Sequence, residues 1–191
     1  MASGSNTSRR IRLPSVPPSS FEEVFEAFES VETKRDLVEL CQHVARRADP
    51  TVLALLRREA WKQARFVHPK EYRDEILRSL FESLVRRINE MRETDPRDVP
   101  DEPVEGYEEF LEIVHEYAED PDYDSPLLLL YEASAAAFAV FHLEEPVHPP
   151  GTRFPGVGRV REVDGKYLCP IKERREGQPG SFCTVCPAEP G

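Results

Sequence analysis

The stretch PLLLLYEASAAAFAVFHLEE, residues 126–145, decides the fold of this chain. Wound as a helix it is apolar on nearly every face, and such a helix belongs at the centre of a bundle, where other helices cover it. Ser125-Pro126 opens it, with a hydroxyl to cap the first free N–H groups and a proline at the first helical position. The segment is at the short limit for crossing a bilayer and carries Glu132 and His142, so it reads as a core helix and not as a membrane span. Glu132 is the anomaly within it. A carboxylate among so many apolar side chains must be paired, protonated or bound to a cation. The pattern predicts an ion pair with an arginine or a place on the one exposed edge of the helix; the alternative is a functional carboxylate facing an internal cavity.

Working outward, five amphipathic helices are predicted around this centre. Ser20 and Glu23 form a capping-box pattern ahead of Phe21, Val24, Phe25 and Phe28. Thr33 caps a second helix with Leu37, Leu40, Cys41, Val44 and Ala48 on one side. Asp49-Pro50 opens a third, which carries Val52, Leu53, Leu56, Ala60, Ala64 and Val67 and stops at His68-Pro69. A long helix follows over about residues 70–93. Its stripe is Ile76, Leu77, Leu80, Phe81, Leu84, Val85, Ile88 and Met91, and its opposite face, with Arg73, Asp74, Arg86, Arg87 and Glu90, is expected to be solvated. An acidic, proline-punctuated connector at 94–104 leads to a fifth helix over roughly 105–119.

Residues 146–191 differ in kind, holding 8 of the 18 prolines and 7 of the 9 glycines. Within them GVGRVREV-DG-KYLC reads as a hairpin, because Asp164-Gly165 suits a tight turn with left-handed backbone. The organisation is therefore a disordered or loosely draped arm at 1–19, a bundle of about six helices at 20–145, and a Pro- and Gly-rich tail at 146–191 with a β-hairpin and a cysteine loop. The fold class is mainly α.

The chain has 191 residues and a net charge of −11. That balance argues against general binding to duplex nucleic acid, which needs a basic surface to displace counterions. The Arg-containing N-terminus is followed by no apolar run, so it is not a secretory signal. The expected compartment is the cytoplasm, where thiols stay reduced or bind metal. No phosphate-binding glycine loop or nucleophile elbow is present. Glu112 and His115 form a single Glu-x-x-His, whereas di-iron bundles use two together with two further glutamates.

Chemistry concentrates at the end of the chain, in YLCPIKERREGQPGSFCTVCP, residues 167–187. Cys169, Cys183 and Cys186 are spaced C-x13-C-x2-C, and a C-x2-C pair lets two thiolates reach one metal from a tight turn while a cysteine from the hairpin converges on them. Zinc is the expected metal, and an iron–sulfur cluster in a redox or enzymatic protein is the alternative. Cys41, His142 and His148 are the candidates for a fourth ligand, although Cys41 lies on the apolar stripe of its helix. A third reading is a metal-free module whose acidic surface meets a basic protein partner.

The residues Tyr167, Cys169, Pro170, Ile171, Lys172, Glu173, Pro179, Cys183 and Cys186, behind an acidic helical body, form a Y-x-C-P-[IV]-K-E…P…C-x2-C tail. This tail resembles an uncharacterised archaeal protein family found mainly in methanogens. The resemblance implies an archaeal, cytoplasmic protein from an anaerobe and adds no activity.

Overall fold

A computed structural model describes residues 11–191. Helix α6, Pro126–Ala137, is the centre that its sequence demands: ten of its twelve residues are buried. Ser125 caps it, its hydroxyl accepting the Leu128 N–H at 3.2 Å. The helix then widens into a π-turn over Phe138–His142.

Around it stand α1 (Phe21–Glu29), α2 (Lys34–Arg46), α3 (Pro50–Gln63), α4 (Lys70–Glu93) and α5 (Tyr107–Glu119). Their N-termini follow the expected caps. Thr33 and Asp36 form a reciprocal capping box at the start of α2, and Asp49 accepts the Val52 N–H ahead of Pro50. Glu23 differs from the expected box: its carboxylate reaches past Ser20 to the N–H groups of Ser15 and Ser19. The Ser19 hydroxyl, which also donates to it at 2.6 Å, and these two N–H groups hold its pKa at about 2. Residues 11–19 run extended against the bundle, with Pro14 giving its carbonyl to the His43 ring at 2.9 Å and Ile11 and Val16 packed on the core. The rest of the expected N-terminal arm lies outside the described residues. Two buried phenols tie helices together: Tyr131 of α6 donates to the Val44 carbonyl at 3.0 Å, and Tyr107 of α5 to the Phe28 carbonyl at 3.2 Å. No helix among the described residues is long and apolar enough to cross a membrane.

The tail is a set of short strands. β1 (Arg153–Phe154) pairs antiparallel with β2 (Gly158–Arg159), and β3 (Arg161–Val163) with β4 (Lys166–Cys169). The β3–β4 turn is the predicted Asp164-Gly165, with φ of 51° and 76°, left-handed values that Gly and Asp tolerate. The expected first strand of this hairpin is split, because Gly158 and Arg159 pair with β1 instead. A four-residue helix, α7 (Lys172–Arg175), follows β4, and β5 (Glu189–Pro190) returns to pair parallel with β4. The described helices therefore number seven, one more than the six expected.

The tail docks on α4 through a polar row that the hydrophobic pattern conceals. Ser79, Ser83 and Arg87 are spaced by four and share one helix face. Ser79 accepts the Arg153 N–H at 2.8 Å, Ser83 meets the Thr152 hydroxyl at 2.8 Å, and Arg87 donates to the Pro146 carbonyl at 3.1 Å. Arg87 is thus not on a solvated face, as expected, but 1% exposed. The tail covers it, and Glu90 at 2.7 Å and Glu145 at 2.8 Å compensate its charge. Removing one member of a buried ion cluster leaves the others uncompensated. Arg87→Ala should therefore cost about 3 kcal/mol in urea unfolding, with the tail loosened in hydrogen exchange; a change under about 0.5 kcal/mol would contradict this account.

Candidate functional site

The three tail cysteines lie in one neighbourhood. Cys169 ends β4, where its backbone N–H and carbonyl belong to the sheet, and the Gly191 N–H reaches its carbonyl at 3.1 Å. Pro170 follows and has no N–H, but those of the next two residues, Ile171 and Lys172, turn back onto the Cys169 sulfur. Cys183 and Cys186 are joined in a tight turn, with the Cys186 N–H on the Cys183 carbonyl at 3.3 Å. The charge of either thiolate is felt at Cys169.

Lys172 binds the two halves together. Its ammonium group is buried and donates to the carbonyls of both Cys183 and Cys186, the latter at 2.9 Å, with Glu176 3.2 Å away. A buried ammonium needs such compensation. Burial raises the Cys183 thiol and prevails over the Ser181 hydroxyl, Arg175 and, least of the three, Lys172, which lower it. Burial likewise raises Cys169, opposed by the two N–H groups. Among the described residues no three Cys, His, Asp or Glu side chains are set closely enough to hold a metal ion.

The proposed fourth ligands are dispersed. Cys41 sits in the main core, 3.4 Å from the Ser134 carbonyl, and burial raises its thiol strongly. His142 lies at the end of the π-turn, its ring tilted against Phe138 at 4.9 Å between centroids, and burial, with the charge of Lys34, lowers its pKa. His148 alone of the three shares a wall with Cys183. It stands edge-on to Phe154, and burial, with the charges of Arg175 and Arg87, pushes its pKa down to about 4. His115 of the lone Glu-x-x-His is on the surface beside Glu119 and Phe25.

The wall shared by Cys183 and His148 belongs to a cavity of about 590 Å³ between α3, α4, α6 and the tail. It explains a departure from the sequence pattern. Ile76, Leu80, Phe81 and Leu84, expected in the core, are only half-buried because they face this space. Glu132 faces it too. Its partner is not an arginine but the Tyr123 hydroxyl, which donates to Oε2 at 2.9 Å. The sequence signal for this site was the isolated carboxylate; the tyrosine was invisible, being nine residues away in a loop.

Burial pushes Glu132 up to about 7, and the Tyr123 hydrogen bond opposes the rise. A carboxyl group whose folded pKa exceeds its unfolded value destabilises the fold wherever the unfolded form is ionised and the folded form is not. Stability should therefore be intact below the ordinary value of 4.5 and fall as pH rises toward 7. The loss is on the order of 3 kcal/mol. Glu132→Gln should remove that part of the pH dependence in urea unfolding between about pH 5 and pH 7, and an unchanged slope would show that Glu132 does not titrate there.

Residues 33–190 match a family described as "Uncharacterized protein conserved in archaea (DUF2115)". The chain is 70% identical over 135 residues to a UPF0305 protein of Methanopyrus kandleri, covering 71% of this chain and 95% of the relative. A UPF0305 protein of Methanothermobacter thermautotrophicus is 45% identical over 49 residues, covering 26% and 30% of the two chains. No solved structure matches. With most of its length matched by the family and almost the whole of a relative aligned to it, the chain belongs to this conserved archaeal family, DUF2115.

Proposed function

We propose that the protein is a cytoplasmic metal-binding helical protein, with Cys169, Cys183 and Cys186 as thiolate ligands of one zinc ion. The observation that carries the reading is the turn after Cys169, where two successive backbone N–H groups point at its sulfur. Those N–H groups oppose the rise that burial imposes on the thiol, and so ease its ionisation at a metal. Lys172 supports it by linking the backbones of Cys183 and Cys186 to the same turn and placing a positive charge beside them. Three thiolates around a divalent cation carry net negative charge, which a neighbouring ammonium stabilises. His148 is the best placed of the fourth-ligand candidates, since it lines the same wall as Cys183. The loop must rearrange to close the set, and the free energy of metal binding would drive that change.

Metal analysis of protein purified without oxygen should find about one equivalent of zinc per chain, lost in Cys169→Ser and in Cys183→Ser. Less than about a tenth of an equivalent, with added zinc also failing to bind, would overturn the proposal. A brown protein whose visible absorbance bleaches on reduction would replace zinc by an iron–sulfur cluster.

A further inference from the structure

The cavity has a polarity of its own. One wall is the aliphatic stripe of α4. Facing it, Tyr117 packs on Tyr123 at 5.1 Å and on Phe182 at 5.2 Å between ring centroids, and all three rings line the space. Glu132 stands beside this aromatic group. Tyr123 occupies one of its oxygens, and no Lys, Arg or His pairs with it among the described residues. Arg174 and Arg175 also reach the cavity, but both are exposed, which sets them where it meets solvent. The cavity thus offers a carboxylate lacking a countercharge, together with three aromatic rings that line the same space.

Both features select the same chemistry. A half-buried carboxylate without a countercharge gains from an ammonium group that hydrogen-bonds to it, and aromatic faces attract cations. The volume falls in the range of small-molecule sites, and the α4 stripe would cover an apolar body. We infer that this cavity binds a small organic ammonium compound with an apolar body, its nitrogen on Glu132 and its chain along Leu80 and Leu84.

Three isosteric probes test this by calorimetry on the wild-type chain: phenylbutylamine, phenylbutanol and phenylvalerate. The amine should bind saturably and at least about tenfold more tightly than the alcohol, the range expected for a charge-assisted hydrogen bond. Glu132→Gln should remove that advantage and leave the alcohol's affinity unchanged. No saturable binding of the amine, equal binding of amine and alcohol, or preference for the acid would each overturn the inference. The last result would assign the site to the arginines at the rim. The comparison among probes needs no variant, so it stands even if the substitution prevents folding.

Discussion

A helix that is apolar all round must be enclosed, and that requirement organises the molecule. Helix α6 cannot present any face to water without exposing leucine or alanine, so α1, α2, α3, α4 and α5 are arranged as its covering. Each of these has one apolar face and one polar face, the pattern for a single contact layer. The hydrophobic contribution of such burial is non-directional. Directional detail comes from the caps and from a few polar groups that reach through the core.

The covering is incomplete on one side. Beside the contact that α4 makes with α6 lies the cavity, and the tail closes over part of it. This division gives the molecule two regions of different chemistry. The bundle is a continuous apolar core, whereas the tail has a small core of its own around Phe154, Val160, Cys169 and Ala188. So small a cluster buries little surface, and the tail depends on its polar attachments to α4 and on the Lys172 contacts around the cysteines.

Much of this was legible in the sequence because it depends on local physics. Ser125-Pro126, Asp49-Pro50 and Thr33 mark helix starts through bonds made within three residues, and Asp164-Gly165 sets a turn through its own backbone preference. The central place of α6 follows from its lack of a polar face. What escaped depended on distant partners. Arg87 reads as a surface residue until Glu145 and Pro146 arrive from another segment. The α4 stripe has the same periodicity whether it meets a packed neighbour or an empty space. The parallel return of β5 to β4 crosses nineteen intervening residues and leaves no pattern in two adjacent registers. At the thiol cluster the spacing was readable, while the role of Lys172 was concealed by its ordinary position in a charged run.

The phenol bonds of Tyr131 and Tyr107 have a consequence for how this bundle can move. Hydrophobic burial is non-directional, so for a helix that is apolar on nearly every face it defines lateral position better than height. The hydroxyls remove that freedom. Tyr131 reaches the carbonyl of Val44 and Tyr107 that of Phe28, each near the end of its partner helix. A slide would strand a buried oxygen at each point. The inner helices are thereby pinned in axial register, like a piston held by cross-keys, and rearrangement is left to the layer that lacks such keys, α3 and the first half of α4.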